Sequence, residues 1–191
     1  MIIDEVQTGL GRCGSIWGID AYDVVPDILV TGKGLSGGIY PITATIYREH
    51  LNHFLHNNPF IHVSTFGGAE VGCYAALEVL DILQEPGFLE HVQEMAALFQ
   101  DGFMQLKDKH PQVMVEARQK GLMMGLKMSS GTLGPLMTRL GFEAGLLTIY
   151  ANNDPSVIQI LPPLIIQEEE VNQVLNILEL MLGKVEQMLG Q

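Results

Sequence analysis

Thr31-Gly32-Lys33-Gly34-Leu35-Ser36-Gly37-Gly38 is the stretch on which the fold turns. It comes directly after the apolar run Ile28-Leu29-Val30, which reads as a buried strand bounded by turn signals. Glycines on both sides of one lysine let the backbone bend sharply and let another group approach it closely. Three chemistries share this pattern. Gly32, Gly34 and Gly37 match the dinucleotide-binding spacing G-x-G-x-x-G, which must open a helix whose N-terminus faces a pyrophosphate. Gly34-Leu35-Ser36-Gly37-Gly38 fits the nucleophile elbow of serine hydrolases, which also needs strand, turn and then helix. The next segment is instead a β-branched stretch containing Pro41, so both readings lose their context. A phosphate-binding Walker loop is excluded, because Lys33 is not followed by Ser or Thr and position 27 is Asp. The third chemistry is a lysine that condenses with a carbonyl from a partly desolvated strand-end turn.

Outward from the lysine, Ile2-Ile3-Asp4 reads as the end of a second strand. Parallel neighbours in an α/β sheet present their carboxyl ends on one side, which puts Asp4 and Lys33 at one crevice. If the carbonyl belongs to pyridoxal phosphate (PLP), a carboxylate must keep the pyridine nitrogen protonated, and Asp4 is placed to do so. On spacing alone a solvated loop lysine beside a turn aspartate accounts for the same residues equally well.

The rest of the chain supports an α/β or α+β class. The pattern predicts a strand over 39–47 and a polar, irregular stretch over 50–62, with His50, His53, His56 and His62 solvated. A helix over 69–84 should bury Val71, Tyr74, Ala75, Val79, Ile82 and Leu83. A long helix over 88–109 should bury Leu89, Val92, Met95, Ala96, Phe99, Phe103 and Leu106. Short strands are predicted at 113–115, 122–128, 147–150 and 157–161, a helix at 135–144, and an amphipathic helix from Glu168 to the end. Met123, Met124 and Met128 read as core gap fillers, Trp17 and Phe66 as packing aromatics, and Ser64 as structural.

The 191 residues carry 22 acidic and 10 basic side chains, a net charge of −12. That balance repels nucleic acid and anionic membranes. An apolar fraction of 47% is that of an ordinary folded protein, and no stretch reaches the roughly 20 apolar residues a bilayer span needs. Cys13 and Cys73 make no disulfide framework, and no signal peptide is visible, so the expected location is the cytoplasm.

Three segments carry a family resemblance. Asp4-Glu5-Val6-Gln7-Thr8-Gly9-Leu10-Gly11-Arg12-Cys13-Gly14 resembles the D-E-V-Q-[TS]-G-x-G-R-x-G signature of class III aminotransferases, the ornithine, acetylornithine, 4-aminobutyrate and putrescine type. Pro26-Asp27 through Lys33 to Gly38 resembles their lysine segment, and Ser64-Thr65-Phe66-Gly67-Gly68 their phosphate segment, all in family order. The resemblance extends through Gly121-Leu122-Met123-Met124-Gly125 and Leu161-Pro162-Pro163-Leu164. It implies the PLP-dependent transferase fold of type I. Residues 1–95 would be the C-terminal part of the large, mostly parallel PLP-binding domain, and 96–191 the small α+β domain. It further implies ping-pong transfer of an amino group from an amine or ω-amino acid to a 2-oxo acid. Lys33 would be covalent anchor and proton carrier, Asp4 the partner of the pyridine nitrogen and Gln7 a neighbour of the phenolic oxygen, where the residues alone also allow a plain turn glutamine. Thr65 would bind the cofactor phosphate across a homodimer interface, and no metal is implied.

Two departures stand out. Where the family commonly has an arginine for a substrate carboxylate, this chain has Gln159, which puts an ornithine-type α-carboxylate substrate in doubt and leaves room for a diamine, an aminoketone or an ω-amine. The family's N-terminal half, with a phosphate loop and a ring-stacking aromatic, has no counterpart here. The reading that competes with a working transaminase is therefore a truncated, non-catalytic remnant serving only binding or dimerisation.

Overall fold

The computed structural model describes residues 1–190, and they divide into two compact units, Met1–Leu89 and the residues from Glu90 onward. In the first unit, β1 (Ile2–Asp4) lies parallel to β2 (Ile28–Thr31), pairing Ile2 with Ile28 and Asp4 with Val30. β2 pairs antiparallel with β3 (Ala44–Tyr47), Thr31 opposite Ala44. β2 is thus the centre of a three-stranded sheet, as its β-branched composition suits.

The strand predicted over 39–47 is confined to its second half. The Ser36 hydroxyl donates to the Tyr40 carbonyl and accepts the Tyr40 N–H at 3.2 Å. This closes 36–40 into a turn, and Pro41 has no N–H to offer a ladder. After β3 the predicted irregular stretch holds a 3₁₀ turn (Glu49–Leu51) and the short α1 (His53–Asn57), with its histidines exposed.

The helix predicted over 69–84 is α2 (Glu70–Leu83), but its predicted buried face is only partly buried. Leu83 is enclosed, while Val71 is 64% and Tyr74 74% exposed. The closest packing runs instead through Gly72, where an added Cβ would lie 2.7 Å from Tyr40 Cδ1. Val79 lies against Gly37, so α2 backs the turn that carries Lys33. Helical period reports which residues share a side, and this small unit has little to lay against that side.

The second unit is a four-stranded antiparallel sheet in the order β4-β5-β7-β6, covered by helices. Its elements are α3 (Phe88–Lys109), β4 (Met114–Lys120), β5 (Met123–Met128), α4 (Leu133–Glu143), β6 (Ile149–Ala151), β7 (Asp154–Ile160) and α5 (Glu168–Leu189). The stripe read on α3 is buried from Val92 to Leu106, with the Phe99 and Phe103 rings 5.5 Å apart. Burial alternates along β5, with Met124, Leu126 and Met128 inward, as one covered face requires. β4 runs to Lys120, longer than predicted, because its polar half still pairs with β5 through a hairpin turned at Gly121 (φ +56°). α3 and α5 pack closely at Gly102, where an added Cβ would lie 2.4 Å from Leu175. The Glu170 carboxylate accepts the Gln167 N–H at 2.9 Å and caps α5. No helix among the described residues is long and apolar enough to cross a membrane.

An acid-labile contact starts β7. Asp154 Oδ1 accepts from the Ser156 hydroxyl (2.5 Å) and N–H (3.1 Å), and Oδ2 faces Lys127 Nζ at 3.2 Å. The Ser156 hydroxyl first, then Lys127, hold the Asp154 carboxyl below its ordinary range. A carboxyl depressed by folding stabilises above its unfolded pKa and loses that contribution as pH falls through its folded pKa. The thermal midpoint should therefore drop on acidification below about pH 4, the ordinary aspartate value, and drop less in Asp154→Asn. Circular dichroism melts across a pH series check this, and parallel curves for the two proteins would refute it. Glu116 beside Arg118 and Glu179 beside Lys109 are lowered in the same sense, so the variant flattens only part of the slope.

Candidate cofactor site

The site is built where two parallel strands end. Asp4 is the last residue of β1, and Lys33 lies just past the end of β2 in a 3₁₀ turn, Lys33–Ser36. That single turn is no dinucleotide or elbow helix, which would continue for several turns. Lys33 has φ +47°, a left-handed conformation that costs a non-glycine residue about 1 kcal/mol or more and that clusters at functional sites. The glycines around it have separate reasons. Gly37 and Gly38 also turn left-handed (φ +61° and +82°), and a Cβ on Gly32 would sit 2.9 Å from Thr43 Cγ2. The exposed Lys33 side chain enters an open cleft of about 510 Å³ shared with Ser36, Tyr40 and Thr43.

Asp4, at the end of β1, and Gln7, just beyond it, matter as much. Asp4 Oδ1 accepts the Val6 N–H at 2.9 Å, which orients the carboxylate and starts a turn. That turn presents Gln7, whose Oε1 accepts from Lys33 Nζ at 2.7 Å. The sequence leaves Gln7 between ligand and turn residue, and the fold puts it on the lysine amine. The adjoining signature loop is compact. Leu10 is buried with φ +57°, 3.6 Å from where a Cβ on Gly34 would lie, and Trp17 packs against Gly9. Burial holds the Arg12 guanidinium below its ordinary pKa, against the opposing effect of Cys13.

Gln7 and Lys33 are therefore brought together, while Asp4 ends the strand parallel to β2. Thr65 is not gathered with them. It lies in an exposed turn closed by the Gly67 N–H to the Ser64 carbonyl (3.2 Å), and no hydrogen bond among the described residues ties it to the other three. Phe66, read as packing, is instead 76% exposed. Gln159 sits on β7, opposite Gly125 of β5 and Ile149 of β6.

Glu5 escapes the sequence reading. It is 1% exposed, and its carboxylate is wholly engaged inside the signature loop. Strand alternation is the available signal, since it sends Glu5 to the face opposite Asp4.

A lysine amine on a strand-end turn, hydrogen-bonded to a glutamine, with a carboxylate ending the adjacent parallel strand, is an arrangement that suits PLP chemistry. Comparison with known proteins narrows the class. The profile of the aminotransferase class-III family matches residues 1–182. An uncharacterized aminotransferase of Archaeoglobus fulgidus is 53% identical over 174 residues, 91% of this chain and 41% of that protein. The crystal structure of the Toxoplasma gondii ornithine aminotransferase superposes with a TM-score of 0.87 at 32% identity, over 98% of this chain and 44% of that one. A transaminase from the marine bacterium Virgibacillus superposes with a TM-score of 0.89 at 25% identity, over 98% of this chain and 46% of that one. The chain belongs to the class III aminotransferases, whose cofactor is PLP. It spans less than half the length of these relatives.

Proposed function

We propose that this chain carries the lysine-bearing part of a transaminase that moves an amino group from an amine or ω-amino acid to a 2-oxo acid in two half-reactions. The observation that carries the reading is the 2.7 Å contact between Gln7 Oε1 and Lys33 Nζ, at the end of a strand beside Asp4. The donor set fits PLP: one primary amine in an open cleft, one neutral amide hydrogen-bonded to it and one carboxylate on the neighbouring strand end. When bound, PLP supplies an aldehyde for amine condensation and a pyridinium ring that draws off electrons as a proton leaves the substrate carbon.

The chain's own residues have separate tasks. Lys33 Nζ holds the cofactor covalently and carries the proton between substrate atoms. Asp4 stabilises a protonated pyridine nitrogen by its charge. Gln7 orients the lysine amine and, with cofactor bound, neighbours the phenolic oxygen. Thr65, exposed and apart from these three, is suited to a phosphate on a second subunit, which makes the full enzyme a homodimer. Gln159 supplies no charge at the position where the family resemblance implies an arginine, which favours a diamine, an aminoketone or another ω-amine over a donor gripped by an α-carboxylate. The cytoplasm is the proposed compartment.

The test is to mix the chain with PLP, record the visible spectrum, reduce with borohydride and map the modified peptides. Labelling of Lys33 well above Lys107, Lys109 and Lys120 is the expected result. A missing visible band, or label spread evenly over those lysines, would sink the cofactor reading and favour a non-catalytic remnant.

A further inference from the structure

Every polar group of Glu5 is in use. Its Oε1 accepts the Ile19 N–H at 2.7 Å, and its Oε2 accepts the Gly18 N–H at 3.0 Å together with the Thr8 hydroxyl. Its own N–H donates to the Val30 carbonyl at 2.7 Å, and its carbonyl accepts the Gly9 N–H at 3.0 Å. One buried residue thus ties together β2, the turn over 5–9 and the chain at 18–19. A buried carboxylate is costly unless its oxygens are satisfied, and bonds to an ionised acceptor are among the strong ones. The side chain is 1% exposed and both its oxygens are engaged by Thr8, Gly18 and Ile19, so it has no face left for a ligand.

What it closes is the turn that presents Gln7. Thr8 sits at the junction, its hydroxyl donating to Glu5 and lying 3.5 Å from the Asp4 carbonyl. The same loop reaches the lysine turn a second time through Leu10, beneath Gly34. Gln7 has a long side chain with several rotatable bonds, and it stays on Lys33 only if its backbone is held.

We propose that Glu5 is a positioning residue. It touches neither cofactor nor substrate, and it fixes the 5–9 turn so that the Gln7 amide oxygen holds the Lys33 amine. The assignment rests on the reading of Gln7 and Lys33 as cofactor residues. Glu5→Gln keeps the shape and turns one acceptor oxygen into a donor. That NH₂ then confronts an N–H or O–H, and the clamp loosens where the carboxylate had matched it.

The test uses the coupling of Glu5 to Gln7. The full chain is acetylated with limiting acetic anhydride, and the rate at Lys33 relative to Lys107 and Lys120 is read by mass spectrometry. The four proteins are wild type, Glu5→Gln, Gln7→Ala and the double variant. Loss of one net hydrogen bond on Lys33 corresponds to about a two- to tenfold change, so Gln7→Ala should move the Lys33 rate by that much. Glu5→Gln should move it in the same direction, and the double variant no further than Gln7→Ala alone, the non-additivity of two residues acting through one contact. A Glu5→Gln rate equal to wild type overturns the proposal. So do independent effects that multiply in the double variant, and so does a Gln7→Ala rate that does not change. If circular dichroism finds Glu5→Gln unfolded, Thr8→Val replaces it, removing one donor from the clamp, with a smaller change in the same direction expected. PLP labelling of Lys33, run in parallel, separates the two ideas. Failure of the wild type to label refutes the cofactor reading while the acetylation rates still decide the role of Glu5.

Discussion

Lys33→Ala should abolish reductive labelling by PLP and leave the chain folded. Both halves of that result come from where the residue sits. The side chain is exposed, and its one direct hydrogen bond among the described residues is the one to Gln7, so its removal should cost no more than the roughly 0.5 kcal/mol of an ordinary surface change. The left-handed φ of +47° is no worse for alanine than for lysine. The amine, by contrast, has no substitute, because condensation with an aldehyde needs a primary amine at that point in the cleft. Lys33→Arg sharpens the result. It keeps a cation of similar length, but a guanidinium stays protonated and does not condense, so the label should again fall to background. If Arg lost the label and Ala kept it, or if both variants kept it on another lysine, Lys33 would not be the anchor. Lys33→Gly should lose the label and gain about 1 kcal/mol by relieving the left-handed strain, which a higher thermal midpoint would register.

Gly134→Ala and Gly183→Ala should shift stability in opposite directions, although both place a methyl group in a helix. At Gly134, in the first turn of α4, the new Cβ would lie 1.9 Å from the Pro155 carbonyl oxygen and 3.2 Å from Tyr150 Cβ. The obstacle is backbone of β7, which cannot rotate aside, so α4 must lift from the sheet. Leu133, Met137 and Leu140, all buried, move with it. Overpacking of this kind costs about 1–3 kcal/mol, occasionally more, or several degrees in the midpoint of a unit this size. At Gly183, within α5, nothing lies within 4 Å of an added Cβ. There only the intrinsic preference acts, and alanine should stabilise by about 0.5–1 kcal/mol. Thermal melts of the two variants decide it. Equal shifts would mean that α4 does not touch β7 as described.

Legibility differs by element. The two long helices are plain in the sequence, because each combines a full stripe of apolar residues with a clear boundary: Pro111 after α3, and the acidic start at Glu168 of α5. β2 is plain for the same kind of reason, an apolar run between turn residues. β3 starts later than its composition suggests, because the Ser36 hydroxyl and the Tyr40 backbone close a turn that propensity does not report. The face of α2 is apolar as its period indicates yet largely uncovered, since periodicity carries no information about what stands opposite.

By itself, then, the amino-acid order determined most of the elements and the two strands that end at Asp4 and just before Lys33. Those depend on local pattern and on the general rule that parallel strands end on one side. Only the tertiary structure decided that Gln7 rests on the lysine amine, that Lys33 takes a left-handed turn, that Thr65 lies in an exposed turn, and that Glu5 is buried behind the loop. Each of these depends on where a loop returns in space, set by hydrogen bonds between residues distant in the chain, such as Glu5 with Ile19 and Gln7 with Lys33. Neither local propensity nor hydrophobic period encodes such returns.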